Sequence, residues 1–105
     1  MKIREMISKG EPTVSFEIFP PKSSYALETV FDTLTELKDL HPDFISVTYG
    51  AGGTAQSNTV EIASRIKKDF GIESIAHLTG CTSTKEGMKR TLTSIKDSGI
   101  ENILA

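Results

Sequence analysis

Gly71-Ile72-Glu73-Ser74-Ile75 ends one helical pattern and opens an apolar strand run, and nearly the same five residues return as Gly99-Ile100-Glu101-Asn102-Ile103. A glycine just past a helical stripe reads as a C-terminal cap, since it takes the left-handed backbone at little steric cost. The recurrence therefore marks two successive helix-to-strand transitions. Apolar strand runs are expected at Val14 to Ile18, Phe44 to Val47, Ile75 to Leu78 and Ile103 to Leu104. Counted between Val14, Phe44, Ile75 and Ile103, the repeat is 30, 31 and 28 residues.

Helical patterns fill the gaps. The first follows Ser23 or Ser24 as N-cap and carries Leu27, Val30, Phe31, Leu34 and Leu37 on one face, ending at His41-Pro42-Asp43. The second offers a capping box in Asn58 and Glu61, then a stripe of Ile62, Ala63, Ile66 and Phe70 before Gly71. The third repeats that grammar with Ser83, Glu86 and the stripe Met88, Leu92 and Ile95. Met1 to Lys9 reads as a short amphipathic helix stopped by Gly10 and Pro12.

A repeat of this length is one βα unit, and a (β/α)8 TIM barrel of about 250 residues implies roughly 31 per unit. The fold expected is α/β: the N-terminal three and a half βα units of a (β/α)8 barrel, incomplete in this chain. Residues 1–12 form a helix and turn, and residues 13–105 form strands one to four with three intervening helices. A flavodoxin-like sheet is the rival architecture, though it would ordinarily need a fifth strand.

With 105 residues, 37% hydrophobic and 25% charged, the composition is that of an ordinary soluble globular protein. The net charge of -2 provides no basic footprint for nucleic acid or an anionic membrane. A single cysteine, Cys81, excludes an internal disulfide and a multi-cysteine metal site, so no metal is expected and a reducing cytoplasm is the natural location. Its thiol is expected to be buried or half-buried. No apolar stretch follows Lys2 and Arg4, so neither a signal peptide nor a membrane span is read there.

In both candidate architectures ligands meet the C-terminal ends of parallel strands. Ser15-Phe16-Glu17-Ile18-Phe19-Pro20-Pro21 puts a carboxylate near such an end. Alternation sets Val14, Phe16 and Ile18 on one face and Ser15 and Glu17 on the other, and the prolines stop the strand just beyond. Thr48 and His77 fall at comparable places in the next two units, 31 and 29 residues on. Together they offer a proton donor, a hydroxyl and an imidazole. Plain alternatives exist: a solvent-facing edge glutamate or one paired with Lys22, a β-branched strand residue, and a core histidine bonded to backbone. After the second strand, Gly50-Ala51-Gly52-Gly53-Thr54-Ala55 formally fits the dinucleotide fingerprint, but its helix cap is read only at Asn58 and no acid follows near the next strand's end, His77-Leu78-Thr79. Tyr49 adds a stacking surface and a hydroxyl there.

Three segments in this order and spacing resemble the flavin-dependent 5,10-methylenetetrahydrofolate reductases: Ser15 to Lys22, Phe44 to Gly53 and Ala76 to Thr79. The likeness runs end to end but covers about the first third of that family's barrel. It implies a flavoprotein in one-carbon and methionine metabolism that uses FAD to carry hydride from NAD(P)H to methylenetetrahydrofolate. By the same resemblance Glu17 is the general acid that opens the folate's five-membered ring, a role calling for a carboxyl that holds a proton at the apolar end of its strand. Thr48, Tyr49, Ala51, Gly52 and His77 are implied to line the flavin, and an Arg-Gly-Asp segment that holds it would come after Ala105. The remaining partner would be a second copy or the rest of the barrel. Two rival functions stay open: a flavin-free barrel enzyme using Glu17 and His77 as acid and base, and a binding or assembly module.

Overall fold

A computed structural model describes residues 1–21, 27–49, 55–81 and 83–105. Its elements alternate as expected: α1 (Ile3–Ile7), β1 (Ser15–Ile18), α2 (Leu27–Leu37) with a 3₁₀ turn at Lys38–Leu40, β2 (Phe44–Val47), α3 (Ala55–Phe70), β3 (Glu73–His77), α4 (Lys85–Asp97) and β4 (Asn102–Leu104). All neighbouring strands are parallel and the sheet order is β1-β2-β3-β4.

That order decides between the two architectures. A flavodoxin-like sheet reverses direction and places β1 inside it, whereas here each unit adds on the same side and β1 is an edge. Since parallel crossovers are right-handed, winding in one direction returns every helix to the same face. Packing agrees. Phe31 and Leu34 of α2, Val60, Ile62, Ala63 and Ile66 of α3, and Ile95 of α4 form one core with Ile45, Val47 and Ala76. Phe16 and Ile18 pack against it, as their phase in β1 requires. The opposite face carries Glu17, Ser46, Ile75 and Asn102 in a single register row. Singly wound βα units with helices on one face are the architecture of a (β/α)8 barrel.

The repeated glycine stretches act as read. Gly71 has φ +66° and Gly99 φ +80°, both in the left-handed region. After α4 the Gly99 N–H donates to the Lys96 carbonyl and the Ile100 N–H to the Ile95 carbonyl, closing a Schellman cap over two core side chains. His41 adopts the left-handed region too, at φ 51°, and so ends the 3₁₀ turn.

Several local expectations are corrected. α3 already begins at Ala55, so Asn58 lies in its first turn, and its side-chain amide donates to the Pro21 carbonyl at 3.4 Å instead of capping. The cap of α4 is Thr84, not Ser83: its backbone is extended and its hydroxyl accepts from the Gly87 N–H at 3.0 Å. α4 buries Thr91 and Ile95, and Leu92 of the expected stripe turns outward. Cys81 is exposed. The Ser23 or Ser24 cap lies outside the described residues.

At the N-terminal ends of the strands α1 is fastened to the sheet. The Ile3 N–H donates to Asn102 Oδ1, and Asn102 Nδ2 donates to Glu73 Oε1 and to the Met1 and Ser74 carbonyls. Lys67 Nζ sits 3.3 Å from Glu73 and 3.1 Å from Glu101, and the Met1 amine 2.6 Å from Glu73. Burial pushes the Glu73 carboxyl up, but hydrogen bonds from the amine, Lys67 and the Ser74 N–H outweigh it and hold it below its ordinary value. Burial likewise works against the charge on Lys67, and its bonds to Glu101 and Glu73 raise it nonetheless. A cavity of about 520 Å³ at this end is lined by Met6, His41, Phe70 and Glu73. It lies at the face where barrels keep their stabilising contacts, opposite the ligand-binding end.

Candidate functional site at the strand ends

At the other end the ladder itself sets the positions. Glu17 is directly opposite Ser46, and His77 opposite Leu104. Beyond the last β1 pair, Ile18 with Val47, the Thr48 N–H still donates to the Ile18 carbonyl at 2.9 Å. Val47 faces Ala76, so Thr48 and His77, the next residues of each strand, stand at one level. Glu17 belongs one side-chain row deeper. The sequence placed Glu17, Thr48 and His77 at matching strand-end positions; they share a face but not a level, because β1 ends one residue after its acid whereas the register is fixed by hydrogen bonds.

The three side chains differ in surroundings. Glu17 is half-exposed, at 50%, and its company is polar rather than the apolar strand end expected. Ser46, which is buried, donates its hydroxyl to Glu17 Oε2 at 3.1 Å. His77 Nε2 lies 3.7 Å from that same oxygen. This nitrogen is buried and has no hydrogen-bond partner. Thr48 is half-buried, and its carbonyl accepts from the buried Thr59 hydroxyl of α3 at 2.9 Å, which ties the loop after β2 to the helix that follows it. Tyr49, also half-buried, leaves the same strand.

Ser46 was not singled out from sequence. The signal available was its position, in phase with Thr48 and 29 residues after Glu17. Ala51 and Gly52 lie outside the described residues, as does Lys22. Among the described residues no three His, Cys, Asp or Glu side chains gather as a metal site, and no helix is long and apolar enough to cross a membrane.

Parallel βα units wound in one direction, with acid, hydroxyl and imidazole on the inner face, define a (β/α)8-type protein. Comparison narrows the class. The methylenetetrahydrofolate reductase family model matches residues 2–105. The Arabidopsis thaliana protein named methylenetetrahydrofolate reductase (NADH) 1 is 36% identical over 104 residues, covering 99% of this chain and 18% of the relative. The 5,10-methylenetetrahydrofolate reductase of Pectobacterium carotovorum subsp. carotovorum is 37% identical over 97 residues, 92% of this chain and 33% of the relative. That of Buchnera aphidicola subsp. Acyrthosiphon pisum is 41% identical over 91 residues, 87% and 31%. The chain belongs to the methylenetetrahydrofolate reductase family, and it spans between 18% and 33% of the length of these relatives.

Proposed function

We propose that this chain forms the proton-donating side of a methylenetetrahydrofolate reductase, with residues 13–105 as the opening part of its (β/α)8 catalytic domain and residues 1–12 as the helix and turn beneath. The observation that carries the reading is the Glu17 carboxyl: half-exposed on the inner face, beside the strand ends, with both of its contacts among the described residues made by Oε2.

In this reading a flavin adenine dinucleotide, lined by the residues named next, would supply the redox chemistry, hydride transfer between NAD(P)H and the folate. The chain's own residues do the rest. The Thr48 and Tyr49 hydroxyls and the His77 imidazole supply donors, acceptors and flat surface at adjoining strand ends, a set that suits a polar aromatic ring system. Ala51 and Gly52 join them as flavin-lining positions. Glu17 delivers its proton to a ring nitrogen of methylenetetrahydrofolate, so that the carbon–nitrogen bond breaks and leaves an electrophilic carbon able to accept hydride. The proton leaves the carboxyl and the bonding pair stays on nitrogen, so the step balances without a further reagent. A cytoplasmic location accords with the single exposed thiol.

The test separates the two half-reactions in the flavin-loaded protein. Glu17→Gln should slow flavin reoxidation by methylenetetrahydrofolate about 10² to 10⁴-fold, the usual worth of general acid catalysis. Flavin reduction by the nicotinamide should stay within about tenfold, since it needs no proton from Glu17. Equal loss in both would assign Glu17 to holding the site together. The 3.7 Å approach of His77 to Glu17 favours a second reading, a flavin-free acid and base pair acting on a small metabolite. That reading requires purified full-length protein without visible absorption.

A further inference from the structure

We propose that Ser46 is a positioning residue for Glu17: it anchors Oε2 so that Oε1 is the oxygen that carries and hands over the proton. The inference rests on the acid role given to Glu17 above and deepens it.

Three observations converge. Ser46 is the direct register partner of Glu17, so its side chain emerges beside the glutamate on the same face of the sheet. Its hydroxyl donates to Oε2 at 3.1 Å, while burial of the serine leaves the hydroxyl little else to bond. The buried, unbonded His77 Nε2 approaches Oε2 as well, at 3.7 Å. Two polar groups thus meet one carboxyl oxygen, and among the described residues none bonds the other. A carboxylic acid has one proton and two oxygens. An oxygen already accepting from a hydroxyl is the poorer place for that proton, which therefore resides on Oε1. The hydroxyl also removes rotational freedom from a half-exposed side chain that would otherwise sample several rotamers. Orientation of this kind is worth up to about 10²-fold in rate for a misplacement near 1 Å.

Ser46→Ala removes the donor, and Ser46→Thr keeps it. In the flavin-loaded protein Ser46→Ala should slow folate reduction about 10- to 100-fold, leave nicotinamide oxidation within about twofold, and be rescued to within about threefold by Ser46→Thr. Either unchanged folate reduction in Ser46→Ala or failure of Ser46→Thr to restore it overturns the proposal. Glu17→Gln is run in parallel: if it leaves folate reduction intact, the acid role itself fails, whereas loss in Glu17→Gln with none in Ser46→Ala sinks only the role of Ser46. A second measurement needs no turnover. Side-chain scalar couplings of Glu17 in the 105-residue chain should report one dominant rotamer, averaged in Ser46→Ala and restored in Ser46→Thr, and a parent already averaged contradicts the anchor.

Discussion

Lys67→Met keeps most of the aliphatic stem and removes the charge that joins the two repeated glutamates. Lys67 Nζ is 3.3 Å from Glu73, whose side chain is 9% exposed, and 3.1 Å from Glu101, which is half-exposed. At an effective dielectric constant near 20 a unit pair at that range attracts by about 5 kcal/mol before desolvation. Desolvating two ions cancels most of this, and measured values for partly exposed pairs fall near 1 kcal/mol. The variant should therefore lose about 1 kcal/mol at neutral pH, a drop of roughly 4–8 °C in Tm for a chain of this size. The pH dependence supplies the test. Glu73 is held below its ordinary 4.5, so its share of stability is present above that value and is lost as pH falls through the depressed folded value. Lys67 is raised above 10.5, so its share is complete below that value and is lost as pH rises through the raised one. Calorimetric Tm of parent and variant should thus differ across the plateau between these limits and converge at both ends, with a smaller gap in 1 M salt. A gap that stays constant from pH 3 to pH 8 would show that the stem's packing matters and the charge does not.

Two further outcomes follow from the core and the caps. Leu34 is fully buried between α2 and the sheet, so Leu34→Ala should cost about 2–5 kcal/mol by chemical denaturation. Thr84→Ala removes the hydroxyl that accepts from the Gly87 N–H and should cost about 1 kcal/mol, whereas Ser83→Ala should leave the denaturation midpoint in place.

The architecture was legible because its signals are local and repeated. Helix stripes at 3.6-residue spacing, strand alternation and the two Gly-Ile-Glu exits each need only a short window. Phe44–Val47 emerged with the bounds read from sequence, and α2 buries Phe31 and Leu34 as its stripe required. Caps were harder, because serine and threonine next to each other compete and backbone geometry chooses: extended Thr84 wins over Ser83. The exposure of Leu92 was hidden for a different reason: an apolar stripe passes over Thr91, which with Ile95 four residues on forms the line that faces the core. The site was legible only as a face. Alternation put Glu17, Thr48 and His77 on one side of the sheet, but sequence counts residues from strand ends, and only the ladder tells which row each occupies.

That row offset explains why Ser46 was overlooked and why it matters. Glu17 and His77 are on strands separated by β2, about 9–10 Å apart across the sheet, and one side-chain row, roughly 6.6 Å, apart along it. For Glu17 Oε2 to come within 3.7 Å of His77 Nε2, the glutamate must reach diagonally over β2, between Ser46 on its own row and Thr48 on that of His77, and Ser46 is the one whose hydroxyl bonds Oε2. A large side chain there would block the crossing. A small apolar one would leave the carboxyl crossing it without a bond. Serine meets both requirements, being short enough to pass over and able to donate to the oxygen above it. The strand residue between acid and imidazole is therefore constrained in size and in chemistry, so that Ser46→Leu should separate Glu17 from His77 where Ser46→Ala merely loosens it.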